Sequence, residues 1–212
     1  MKIALIGASG FIGSALCQEA LARGHQVTGL VSNPARLAAE PGLTAQAVDV
    51  IDSNSLARQF AGHDLAISAF SGHAQADVRG YYGRGIQAII AAAKAASLPR
   101  LLVVGGAGSL EVAPGVQLLD TPEFPDAYRG TAEGARDALN LLRTDAGLDW
   151  TMLSPSAVIF PGERTGRFRL GGDELLIGAN GKSEISVADY AVAMLDEAEK
   201  GQHRRQRFTA GY

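Results

Sequence analysis

The chain has 212 residues, a net charge of −3 and 47% hydrophobic residues, a length at which one domain buries roughly 70% of its unfolded surface without metals or disulfides. Dispersed basic residues on an acidic chain disfavour nucleic acid as a partner, no apolar run is long enough to span a bilayer, and a lone cysteine, Cys17, excludes an internal disulfide. The four histidines, at 25, 63, 73 and 203, show no ligand spacing, so no metal is expected, and the absence of a basic leader before the first strand reads as cytoplasmic.

The first strand, Ile3–Ile6, runs into Gly7-Ala8-Ser9-Gly10-Phe11-Ile12-Gly13, after which Ser14–Arg23 reads as a helix closed by Gly24. A strand that turns through glycines into a helix makes a phosphate cradle. Gly7 permits the tight turn, Gly10 a close backbone approach to a pyrophosphate, and Gly13 close helix packing. The spacing is G-x-x-G-x-x-G, with the middle glycine displaced by one from the commoner G-x-G-x-x-G. Cys17 reads as small core filler on this helix.

Further apolar runs of strand length follow at Val27–Val31, Ala45–Val48, Leu65–Ala69, Leu101–Gly105 and Trp150–Ser154, with helices between them near Ser53–Ala61, Arg79–Ala96 and Pro125–Ala146. Continuous apolar strands alternating with helices predict an α/β fold, a doubly wound parallel sheet of the Rossmann type, whose ligands bind beyond the carboxyl ends of the strands. From Phe160 on, glycines interrupt short runs. Asn180-Gly181 predicts a hairpin in which Leu175–Ile177 returns through Ser183–Ile185, and Ser186-Val187-Ala188-Asp189 opens a helix to about Lys200. The reading is a single domain over 1–212, with 157–190 folding over the cleft as a small lid, and a terminal strand Arg207–Ala210 whose approach is solvated by the basic run His203–Arg207.

The residues just after each strand are the candidate site. After the second strand no carboxylate stands between Glu19 and Glu40 to hold a ribose diol; Ser32 and Asn33 offer donors and Arg36 a charge, which favours NADP over NAD, the alternative being an Asn-Pro turn with a solvated arginine. After the fourth and fifth strands, Ala69, Phe70 and Ser71, then Gly105 and Gly106, let backbone run close to an extended dinucleotide. Asp49 and Val50 follow the third strand; Asp49 is alternatively a cap for the helix near Ser53.

The opening motif resembles that of the short-chain dehydrogenase/reductase superfamily, which implies that Asp49-Val50 lies against the adenine. The main branch of that superfamily uses Tyr-x-x-x-Lys as a proton shuttle. Here the nearest match is Tyr128-Arg129-Gly130-Thr131-Ala132, with alanine in place of lysine. Carbonyl reduction and sugar epimerisation are therefore disfavoured. A flavin or quinone needs only stacking, hydride alignment and exclusion of water, with Phe70 and Tyr128 near the acceptor. Tyr128 and Ser109 are the candidate catalytic residues. Ser109 and Ser154-Pro155-Ser156 either hydrogen-bond the acceptor or the nicotinamide amide, or are turn residues.

Over nearly the whole chain the motifs Val104–Leu110, Trp150–Ser156, Pro161-Gly162-Glu163-Arg164-Thr165-Gly166 and Ile185–Ala191 resemble the atypical branch that includes NADH-flavin reductases. The resemblance implies an NAD(P)H-dependent reductase of a small acceptor such as FMN or FAD; the sequence leaves monomer and homodimer both open. A non-catalytic NADP(H) sensor is the alternative, and a nucleotide-sugar epimerase a more distant one. Arg164, Arg167 and Arg169 either attract a flavin phosphate or pair structurally.

Overall fold

A computed structural model describes residues 1–212. In chain order the elements are β1 (Lys2–Ile6), α1 (Phe11–Ala22), β2 (Gln26–Val31), β3 (Leu43–Ala47), α2 (Ser53–Phe60), β4 (Leu65–Ser68), α3 (Val78–Ala95), β5 (Leu101–Val104), β6 (Glu111–Ala113), β7 (Val116–Gln117), α4 (Asp126–Thr144), β8 (Trp150–Pro155), β9 (Val158–Phe160), β10 (Arg169–Gly171), β11 (Glu184–Ser186), α5 (Val187–Lys200) and β12 (Gln206–Gly211). Eight strands form one sheet in the order β10-β12-β8-β5-β4-β1-β2-β3, all parallel except the edge strand β10. This is the doubly wound α/β architecture expected from the alternating pattern.

Successive side chains of a strand point to opposite faces. Ala4 and Ile6 therefore join Leu56, Phe60, Ile86, Ile89 and Leu139 in one core, while Ile3 and Leu5 join Leu16, Cys17, Tyr190, Met194 and Phe208 in the other. Two apolar faces need two helical layers, α2, α3 and α4 on one side and α1 and α5 on the other. Cys17 is buried core filler: desolvation, with Glu40 adding to it, pushes its thiol up to about 11.

The helix starts differ in how they are closed. Asp52, Asp77 and Ser186 accept from the amides of Ser55, Gly80 and Asp189 at 2.9, 2.9 and 3.0 Å, capping α2, α3 and α5, whereas α1 has no side-chain cap. α1 also begins at Phe11, three residues earlier than the apolar spacing indicates, because the glycine turn runs straight into helical backbone.

The carboxyl-terminal region departs from the expected hairpin. Asn180-Gly181 does form a turn, with the Gly178 amide donating to Lys182 O at 2.7 Å, but Leu175–Ile177 is not a strand. Instead β11 pairs in parallel with β9, Ile185 opposite Ile159, and β10 adds antiparallel to β12. The segment 157–190 thus contributes one strand to the main sheet and two to a sheet of their own. Two local patterns with free edges found distant partners, a result period-2 spacing cannot anticipate. The segment between β5 and α4 was also missed: its hairpin β6-β7 and short turns pack along α4, with Ala132 Cβ 2.8 Å from where a side chain on Gly108 would begin.

Candidate functional site

Strand order reverses between β1 and β4, where the connections leave toward opposite edges of the sheet, the place at which such sheets open a crevice. A groove of about 560 Å³ lies there, lined by Gly7, Ser9 and Gly10 from the glycine turn, Ser32 after β2, Asp49, Val50 and Ser55 around the start of α2, and Ala69, Phe70 and Ser71 after β4.

The turn is built by contacts that exclude side chains. Gly7 sits at φ +77°, and a Cβ there would lie 2.7 Å from Ala69 O; on Gly13 it would lie 2.0 Å from Gly7 O. The first glycine thus lets the end of β4 close on β1, and the last lets α1 press on the turn itself. The Gly10 amide donates to Gly7 O at 2.9 Å and Ser14 to Gly10 O at 2.8 Å, while the amides of Ser9, Phe11, Ile12 and Gly13 donate to nothing in the protein. With no cap and no arginine or lysine among the lining residues, these amides and the positive end of α1 are the groove's source of positive potential.

Ala8 is fully buried beneath the turn, whereas Phe11 stands half exposed and Ile12 partly so at the start of α1. Asn33 spends its side-chain oxygen on the Ala35 amide at 3.1 Å, closing the Asn-Pro turn, and Arg36 beyond it is exposed with no ion-pair partner. Asp49 accepts from the Ile51 amide at 3.0 Å and so closes its own turn; the cap of α2 is Asp52. Phe70 folds its ring down onto α3, stacked with Tyr82 at 5.8 Å and edge-on to Tyr81 at 5.4 Å, in space left by the missing side chain of Gly85. Phe70 remains a lining residue of the groove in this position. Ala74, Ser55 and Tyr81 are lining residues that sequence reasoning missed. A polar residue within the first turn of the helix after β3, and an aromatic at the start of the helix after β4, were the signals available.

The acceptor-side candidates Ser109, Tyr128 and Ser154–Ser156 lie outside the lining of this groove. Ser109 is buried, with its hydroxyl 3.4 Å from Nη1 of Arg207, which also approaches Ser154 Oγ at 3.4 Å. Ser156, just past the end of β8, donates to Ala210 O at 3.0 Å, and Ser154 and Pro155, the last two residues of β8, are buried with it. None of these four lines the groove: Ser109 belongs to the segment after β5 that packs along α4, and Ser154–Ser156 are buried at the end of β8. Gly105 and Gly106 are partly exposed at the end of β5 and pack closely on Met152 and on Ala135 Cβ. Tyr128 stands 63% exposed in the first turn of α4, outside the groove's lining.

Of the three arginines in the 161–169 stretch, Arg164 and Arg169 brace the structure, whereas the Arg167 side chain is exposed and has no ion-pair partner. Arg164 donates from Nε and Nη2 to Glu19 at 2.7 and 2.9 Å, Arg169 donates to Ile177 O and Tyr212 O, and Asp189 accepts four bonds, from the amides of Thr165 and Gly166 and the hydroxyls of Thr165 and Tyr212, at 2.6–2.8 Å. The Arg164 bond, ahead of opposing burial, holds the Glu19 carboxyl below its usual range. In the basic run near the end, His203 pairs with Glu197, Arg204 with Asp149 and Arg207 with Asp173, while Arg205 is exposed.

No helix is long and apolar enough to cross a membrane. Three solved structures align over the whole chain. One from Burkholderia pseudomallei, provisionally named an exported protein, is 47% identical, with a TM-score of 0.91 and 100% of its own chain covered. One from Bacteroides thetaiotaomicron, provisionally an epimerase, is 41% identical with a TM-score of 0.93 and 96% covered. A third, from Streptococcus pneumoniae TIGR4 and provisionally an NADH-flavin reductase, is 35% identical with a TM-score of 0.89 and 99% covered. Residues 7–198 match the NAD(P)H-binding family, so the match begins on the first glycine of the turn and spans nearly every element of the fold, and the chain belongs to that family.

Proposed function

We propose that the protein is an oxidoreductase that takes NADPH in the β1/β4 groove and reduces a flavin, quinone or similar conjugated acceptor. The observation that carries this reading is the set of unpartnered amides at Ser9, Phe11, Ile12 and Gly13, in a cradle where a side chain on Gly7 or Gly13 would collide with backbone. A dinucleotide diphosphate meets those donors. The ring of adenine finds the apolar strip Val48 and Val50 beside Asp49, and Ser32 with the free charge of Arg36 recognises a 2′-phosphate. A reduced nicotinamide supplies a hydride to whatever is stacked on it.

The missing Tyr-x-x-x-Lys pair and the burial of Ser109 argue against an alcohol, ketone or sugar as the partner and against the epimerase reading. They equally suit a non-catalytic sensor of the NADPH to NADP ratio. The relative named as an NADH-flavin reductase supports the acceptor class. The single buried cysteine supports a reducing, cytoplasmic setting.

The test follows NADPH and NADH oxidation by purified protein with FMN, FAD and a series of quinones, alongside thermal shifts with each dinucleotide. Turnover with a conjugated acceptor and a larger shift with NADPH are expected. Strong shifts with no turnover on any acceptor would establish the sensor instead.

A further inference from the structure

The groove is one half of a dinucleotide site. Its walls come from the ends of β1, β2, β3 and β4 and from the starts of α2 and α3, and no residue beyond Tyr81 lines it. A dinucleotide whose diphosphate meets the Gly7–Gly13 amides therefore keeps one nucleoside in this groove and carries the other past it toward β5. The half inside is the adenosine, because the position after β2 is where such sheets read its ribose. Asp49 is the one charged residue of the lining, so the space suits a flat, neutral base.

Adjacent tyrosines at the start of α3 meet Phe70 in different ways. Tyr82 lies face to face with it and is buried in the core at 4% exposure, whereas Tyr81 meets it edge-on, stays partly exposed and lines the groove. The guanidinium of Arg84 stands over the Tyr81 ring, 6.0 Å from its centroid, and Nη1 of Arg84 is 3.6 Å from Asp77, the cap of α3. Phe70 and Arg84 thus hold the ring in place without burying it. An aromatic ring with a cation beside it is a wall on which a planar base packs well. The apolar strip Val48 and Val50, after β3, lines the same groove.

Resting on the dinucleotide site of the reading above, we propose that Tyr81 is a specificity-determining residue for the cofactor: adenine enters between its ring and the strip Val48 and Val50, and Arg84 is the positioning residue that holds the ring. The contact belongs to the adenosine half alone. It favours a whole dinucleotide over a nicotinamide mononucleotide and makes no demand on the hydride donor or on the acceptor. The 2′-phosphate is read separately, at Ser32 and Arg36, so loss of Tyr81 weakens NADPH and NADH alike.

The experiment measures the affinities of NADPH, NADH and 2′,5′-ADP by calorimetry for wild type, Tyr81→Phe, Tyr81→Leu, Arg84→Ala and Arg84→Lys, with NMR of the wild-type NADP⁺ complex. Tyr81→Leu is expected to weaken all three ligands by a common factor of about tenfold, the worth of one base stacked on an aromatic ring, and Tyr81→Phe to bind as wild type does. Arg84→Ala should cost about threefold, with Arg84→Lys recovering most of it. In the wild-type complex the adenine H2 and H8 protons should show nuclear Overhauser contacts to the Tyr81 ring. Contacts from the nicotinamide protons instead, or Tyr81→Leu affinities within about twofold of wild type, would overturn the role of Tyr81 alone. A wild type that binds the dinucleotides but passes no hydride to any flavin or quinone would overturn the oxidoreductase reading, and the affinities would still decide Tyr81. No binding of any of the three ligands would overturn both.

Discussion

Two glycine-bearing loops of this molecule look alike as sequence and behave in opposite ways. In Gly7–Gly13 the backbone is arranged so that five amides, those of Ala8, Ser9, Phe11, Ile12 and Gly13, have no acceptor in the protein, while in Gly162–Gly166 the Thr165 and Gly166 amides and the Thr165 hydroxyl are consumed by Asp189, and the Arg164 guanidinium by Glu19. A buried or half-buried donor left without a partner is costly unless something else supplies one. The first loop therefore presents a demand for a ligand, and the second has already met its own by tying α1 to α5. Spare hydrogen-bonding capacity, more than glycine content or charge, separates the binding loop from the bracing loop.

The contrast breaks most completely at Gly13. A methyl group there would sit 2.0 Å from Gly7 O, so α1 has to back away from the turn. Gly13→Ala is expected to cost about 3 kcal/mol in urea unfolding and to weaken dinucleotide binding by on the order of 100-fold as the amide array loses its geometry. Calorimetric titration with NADPH checks this, and an affinity within a few-fold of wild type would refute the cradle.

The bracing loop should show the reverse pattern. Removing the Asp189 carboxylate by Asp189→Ala strands two hydroxyls and two amides and is expected to cost about 2–4 kcal/mol, with dinucleotide affinity in the folded protein unchanged. Burial pushes the Asp189 carboxyl up, but the bonds from Thr165, Gly166 and Tyr212 outweigh it and leave the group below the usual carboxylate range. A depressed carboxylate stabilises fully above its unfolded pKa, near 3.9, and loses that contribution as pH falls through the lower folded value. The gap between wild type and variant in thermal melts should therefore be wide at pH 7 and narrow as pH falls below the unfolded carboxylate's value.

How far the sequence carried the reading follows the same division. The parallel sheet was legible because β1, β2, β4, β5 and β8 are apolar on both faces, and the glycine turn because it joins a strand to an amphipathic helix. Ser32, Asp49, Ala69 and Ser71 were legible as groove residues because position after a strand fixes which rim they occupy. Ser109 follows a strand too, while Ser154 and Pro155 end one and Ser156 comes just after it, yet all are buried, and Arg207, four residues into a basic run, buries itself against Ser109 and Ser154. The partners of β9, β10 and β11 lie 26 to 42 residues away along the chain, and nothing local in three-residue strands records such pairings.

A finer test concerns the edge of the binding loop's reach. Arg36 stands beyond the Asn33 turn, exposed and unpaired, so it costs the free protein little and is available to a 2′-phosphate. Arg36→Ala should weaken NADPH by about tenfold, near 1.4 kcal/mol, and NADH hardly at all, since a charge-assisted contact to a phosphate is worth that much. Equal losses for the two dinucleotides would remove the basis for NADPH preference and leave Ser32 alone at that position.

The smallest expected effect belongs to Arg164, where charge might have suggested the most. Its guanidinium is 56% exposed, and Glu19, which it contacts, keeps a second partner in Arg23 at 2.8 Å. Losing one exposed arm of such a network costs about 0.5–1 kcal/mol, so Arg164→Ala should lower the melting temperature by only a few degrees. The affinity for NADPH and the KM for FMN should both stay at their wild-type values. A rise in the KM for FMN but not for a phosphate-free flavin would show that Arg164 leaves Glu19 to meet the acceptor, and the two loops would then differ in degree and not in kind.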